Sequence, residues 1–61
     1  MQKFVPPKVG IYTPIKLSYT VTVLATRELF GRTEYEIQST DHPDSGTAWV
    51  GSKYLTIKEA P

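Results

Sequence analysis

Two stretches of strict two-residue alternation, separated by a short glycine-containing segment, constrain this chain more than any other feature. The first, residues 18–26 (SYTVTVLAT), is dense in β-branched and aromatic residues. In an extended strand Tyr19, Val21, Val23 and Ala25 point one way, and Thr20, Thr22, Leu24 and Thr26 the other. The second, residues 33–39 (TEYEIQS), places Tyr35 and Ile37 inward and Glu34, Glu36 and Gln38 outward. Between them residues 27–32 interrupt the pattern, and Gly31 supplies the permissive backbone of a hairpin loop. Two alternating segments joined in this way predict an antiparallel hairpin.

The rest of the chain extends the same reading. Residues 40–46 (TDHPDSG) form a turn cluster, residues 47–50 a short strand, Gly51-Ser52-Lys53-Tyr54 a single helical turn, and Leu55-Thr56-Ile57 a last strand. No segment shows the i, i+3, i+4, i+7 recurrence of a helix. The first sixteen residues carry Pro6, Pro7, Gly10 and Pro14, which break regular pairing. Val9, Ile11, Ile15 and Leu17 lie at alternating positions, so one or two short edge strands are expected there, with a disordered arm as the competing reading. Residues 1–8 thus read as a Pro- and Lys-containing arm free to flex, and residues 9–61 as one domain. The fold class is all-β, with about five short strands.

A chain of 61 residues amounts to one minimal domain. The economical arrangement is a small, strongly bent sheet closed into a barrel, which limits exposed edges. Its expected core is Val9, Leu17, Val21, Val23, Ala25, Tyr35, Ile37, Ala48, Val50, Leu55 and Ile57. With no cysteine, disulfides and thiolate zinc sites are excluded, and packing, hydrogen bonding or oligomerisation must stabilise the fold. No secretory signal or membrane-spanning apolar run is present, so a soluble, cytoplasmic protein is expected. The chain begins with Met1 and is one domain long, which suggests a complete small protein.

Catalytic residue types are sparse. Asp41, His42 and Asp44 cluster in the turn, with Ser39 and Ser45 nearby. Residues so close on one loop lack the rigid, desolvated geometry of a triad, and a single histidine makes a poor transition-metal site. No phosphate-binding glycine motif occurs. The expectation is a non-enzyme with no cofactor and no metal.

The aromatics carry more. Four tyrosines, two phenylalanines and one tryptophan exceed what so small a core encloses. Trp49 has the opposite parity to Ala48 and Val50 and should face outward, Phe30 sits at a loop tip, and Tyr54 precedes the last strand. Exposed aromatics dominate binding hot spots, so Phe30, Trp49 and Tyr54, with Arg32 and Lys53 beside them, are the candidate partner-binding residues. The alternative is that Trp49 and Phe30 cover an open end of the barrel or pack against the N-terminal arm.

The segment Thr47-Ala48-Trp49-Val50-Gly51-Ser52-Lys53-Tyr54-Leu55 resembles the closing segment of Src-homology-3 (SH3) domains, roughly G-Y-I-P-S-N-Y-V, and Glu34-Tyr35-Glu36-Ile37-Gln38-Ser39 falls where that family carries W-W-x-A-x-S. The resemblance implies a five-stranded SH3-like barrel, with residues 40–46 as the distal hairpin. Tyr54 matches one groove tyrosine, whereas Gly51 stands for the groove proline and Glu34 for the binding tryptophan. A fainter likeness joins residues 35–45 (YEIQSTDHPDS) to plasmid-encoded type II dihydrofolate reductases, Y-A-V-E-S-E-A-H-P-G-S. Gly46-Thr47-Ala48-Trp49 replaces that family's ligand-contacting V-Q-I-Y.

The function expected from these residues is a non-catalytic protein–protein interaction module, a small modulator occupying a site on a larger protein. A phage or plasmid origin would fit it, and no membrane partner is expected. Two alternatives stand beside it. One is a single-stranded nucleic-acid-binding barrel using Lys16, Arg27, Arg32, Lys53 and Lys58 beside Trp49 and Phe30. Against that reading, the net charge is only +1, and Glu28, Glu34, Glu36 and Glu59 intersperse with the cations. The other is a homo-oligomeric barrel with a site at the symmetry axis.

Overall fold

The computed structural model describes residues 1–58; residues 59–61, including Glu59, lie outside the described residues. The alternating segments form the hairpin at the centre of the fold. Strand β2 (Tyr19–Leu29) and strand β3 (Arg32–Ser39) are antiparallel, joined by Phe30 and Gly31 alone. Both joining residues have positive φ, 52° and 76°, as a two-residue type I′ turn requires. The interruption expected over residues 27–32 is therefore shorter. Arg27, Glu28 and Leu29 stay in the ladder, opposite Glu34, Thr33 and Arg32.

The alternation in β2 is not continuous. Val23 pairs with Ile37, but Ala25 pairs with Glu36, which leaves Leu24 as the extra residue of a β-bulge. Beyond it the rows exchange: Thr26 lies opposite Tyr35, and Ala25 shares the row of Glu36. Ala25 is buried as expected, yet outside the main core cluster.

Strand β1 (Gln2–Tyr12) pairs with β2 through Gln2 and Lys3, and again from Lys8 to Tyr12. The register shifts between Lys3 and Lys8, where Pro6 and Pro7 have no amide hydrogen for a ladder. The first eight residues thus belong largely to a strand, and residues 9–12 lie inside the sheet rather than at its edge. On their other side they pair with strand β5 (Leu55–Lys58). Strand β4 (Thr47–Gly51) completes the order β4-β3-β2-β1-β5.

The sheet curls into a half-barrel whose edge strands β4 and β5 do not pair with each other, so closure is less complete than expected. A 3₁₀ turn, Ser52–Tyr54, links them, and the Thr13 amide donates to the Tyr54 carbonyl at 2.8 Å. A second 3₁₀ turn, Pro43–Ser45, shapes the β3–β4 connection. The fold is a small all-β antiparallel half-barrel, consistent with an SH3-like barrel. No helix among the described residues is long and apolar enough to cross a membrane.

The core lies on the concave face. Val21, Val23, Ile37 and Leu55 form it, flanked by Phe4, Tyr12, Tyr35, Val50 and Ile57. Three expected core residues lie elsewhere. Val9 pairs with Thr22 and Lys58 on the convex row and is 49% exposed. The concave position beside it belongs to Gly10, opposite Val21 and Ile57. Leu17 sits in the β1–β2 connection, 65% exposed, and Ala48, though opposite Ile37, is exposed at the open edge. Phe4 extends the core by stacking on Tyr35 at 6.4 Å between centroids, and Lys8 Nζ lies 4.8 Å from the Phe4 ring.

Gly10 has the tightest surroundings of the four glycines. A Cβ there would stand 3.0 Å from Val23 Cγ2, 3.1 Å from the Thr56 carbonyl oxygen and 3.3 Å from Leu55 Cδ1. Gly51, by contrast, has extended backbone (φ −68°, ψ 145°) and 3.8 Å to its nearest neighbour, Tyr54. In urea melts, Gly10→Ala should lose about 1–3 kcal/mol through overpacking. Gly51→Ala should be neutral, or gain up to about 1 kcal/mol by restricting the unfolded chain.

Candidate interaction surface

The convex face beside the β2–β3 turn collects most of the candidate residues. Register places Trp49 opposite Glu36 and Gly51 opposite Glu34, while Glu34 in turn faces Arg27. Arg27 Nε donates to Glu34 Oε1 at 2.8 Å, and its guanidinium carbon lies 4.1 Å from the Trp49 ring centroid. Trp49 is half-buried beneath this guanidinium. One arginine thus serves two contacts that favour its planar, delocalised charge. Glu36 Oε2 accepts a hydrogen bond from the Thr47 hydroxyl at 3.1 Å on the same face.

Next to this pair lies an open depression of about 680 Å³, lined by Gly31, Arg32, Thr33, Glu34, Gly51, Ser52, Lys53 and Tyr54. Three of the five candidates, Arg32, Lys53 and Tyr54, meet here, and Lys53 Nζ sits 5.0 Å from the Tyr54 ring. Trp49 adjoins the depression through Glu34 and Arg27 but does not line it. Phe30 stands at its rim, next to Gly31, and is 95% exposed. Neither Trp49 nor Phe30 belongs to the group packed on the core.

Phe30 is unusual in a second way. Its φ of 52° is a left-handed conformation that glycine or asparagine adopts at little cost and a bulky side chain does not. It returns little packing for that strain, since its side chain faces solvent.

Arg27 and Glu34 are legible in the sequence as single charges near the aromatics, but their pairing is not. Their signal was positional: once the turn is confined to residues 30 and 31, residue 27 must face residue 34 across the hairpin.

The Asp41-His42-Asp44 cluster is exposed and built from backbone contacts. The His42 amide donates to Ser39 Oγ, and the His42 carbonyl accepts from both the Ser45 amide and the Ser45 hydroxyl. Gln38 Nε2 donates to the Pro43 carbonyl, anchoring the turn to β3. These contacts shape a loop and leave the histidine ring without a hydrogen-bonded partner among the described residues.

Of the remaining cations, Lys3, Lys8 and Lys58 gather on one depression away from this surface, of about 760 Å³ and lined by Lys58 with residues 2–9, while Lys16 lies in the β1–β2 connection. Comparison with known proteins gives no matching family model, no matching curated protein and no matching solved structure.

Arg27→Ala should uncover the single tryptophan, red-shifting its fluorescence and lowering stability by about 1–2 kcal/mol. Arg27→Lys should restore little of either, because an ammonium cannot both stack on the indole and hold the carboxylate.

Proposed function

We propose that this chain is a non-catalytic protein-interaction module of SH3-like architecture. Its binding surface is the depression formed by Arg32, Lys53 and Tyr54, flanked by Phe30 and by Trp49 under Arg27. The observation that carries this reading is Phe30, an aromatic held in left-handed backbone at a two-residue turn and almost wholly exposed. A side chain that is costly to place and idle in the monomer is suited to burial in a partner's pocket.

The surface differs from a groove for proline-rich helices. Such grooves rely on a row of aromatics with a proline, and by the resemblance Glu34 stands at the tryptophan's position and Gly51 at the proline's. Its polar lining is mixed, with Arg32 and Lys53 beside Glu34, which suits a partner segment bearing both an apolar anchor and charged groups. A nucleic-acid backbone is less well served, because Arg27 is engaged by Glu34, and Glu36 adjoins Trp49.

The test compares capture from lysate by the wild-type chain and by Phe30→Gly, with and without nuclease. Phe30→Gly should melt at or above the wild-type temperature, since glycine relieves the left-handed strain. It should nevertheless weaken partner binding by about 2 kcal/mol or more, roughly 30-fold. Equal capture by both chains would remove Phe30 from the interface. Loss of all prey after nuclease would replace the protein partner with nucleic acid.

A further inference from the structure

The half-barrel leaves two edges, and they are not alike. β5 carries Lys58, a charge of the kind that discourages strand addition. β4, Thr47-Ala48-Trp49-Val50-Gly51, has no charge, no proline and no register shift against β3, and its partner is on one side only. Its concave residues are incompletely covered. Ala48 is exposed and Val50 half-buried, and nearby Tyr19 on the same face is 48% exposed.

The total area of the molecule, which marks no particular edge, leaves room for association. A folded monomer of 6.9 kDa ordinarily exposes roughly 4,000 Å². This chain exposes 4772 Å². The excess, roughly 800 Å², is about what each partner contributes to a standard-size interface. Among the described residues only Val23 of the larger side chains is fully enclosed, and small domains without disulfides or metals commonly gain stability by association.

We propose that β4 pairs with β4 of a second copy of this chain, antiparallel about Trp49. A strand paired antiparallel with itself generates a two-fold axis, so the interface closes at two copies. The register sets Ala48 opposite the partner's Val50, and Val50 opposite the partner's Ala48, on the concave face. The two Ala48 positions are then diagonal neighbours, within reach of long side chains. The pairing joins the two half-barrels into one continuous sheet and does not rest on the role given to Phe30.

The experiment is sedimentation equilibrium of the whole chain at roughly 100 µM, above the micromolar weak end for interfaces of this size. The wild type should sediment at twice the monomer mass. Ala48→Lys and Ala48→Glu, at an exposed position, should each be monomeric with unchanged circular dichroism, and an equimolar mixture should regain the double mass. Hydrogen exchange of the wild type supplies a readout free of variants: β4 amides should slow as concentration rises. A wild type of monomer mass overturns the proposal. So does an Ala48→Lys chain that remains dimeric, a mixture that stays monomeric, or β4 exchange independent of concentration. Each of these outcomes leaves the Phe30 reading standing, because Ala48 lies outside that surface.

Discussion

The seam along β1 holds this small structure together. Gly10 stands between β2 and β5, close enough that Val23, Leu55 and the Thr56 carbonyl would crowd a single added carbon. That approach lets Val23 become fully enclosed although the chain is short. It also draws β5 onto the face carrying Val21 and Ile37, so the core depends on the narrowness of one position. Phe4 and Tyr35 seal one side of this core by stacking, and Tyr12 packs against it from β1 opposite Leu55.

The hairpin obeys a different rule. Its turn has only two residues, so the register of β2 against β3 is fixed by backbone geometry. The turn sets Arg27 opposite Glu34 and beside Trp49, and the bulge at Leu24 lets Val21 and Val23, of the same parity, take the concave face instead. The division of β2 between core and convex surface is therefore a product of one extra residue in the strand. In an unbroken ladder Val21 and Val23 would share the row of Arg27 and face away from the Ile37 side of the sheet.

How far the sequence can be read follows from which signals are local. Tyr19 to Val23 and Thr33 to Ser39 declare themselves as strands because their side chains alternate, and the turn cluster around Pro43 declares itself by composition. The bulge has no compositional mark, since Leu24 looks like any strand residue. Parity fails in β1 for another reason. Counting apolar residues selects Val9 and Ile11, whereas the concave position belongs to Gly10, a residue that counts as nothing apolar and matters by what it lacks. Leu17 and Ala48 show the limit of hydrophobicity as a guide to burial, for both face solvent in a half-barrel. At the candidate surface, Phe30, Trp49 and Tyr54 are visible as aromatics. Their grouping with Arg32, Lys53 and Glu34 depends on two strands and a 3₁₀ turn meeting in space.

Strand order has a consequence for how the chain reaches this state. Among the described residues three of the four ladders, β1–β2, β2–β3 and β3–β4, join neighbours in sequence and can zip from their turns. The fourth, β1–β5, joins the first strand to the last. During synthesis β1 therefore waits with one side bare until β5 emerges, and loop closure over the intervening strands must precede any gain from that ladder. Assembly is then ordered by topology: a meander first, a cooperative locking step last, at the seam where Gly10 lies.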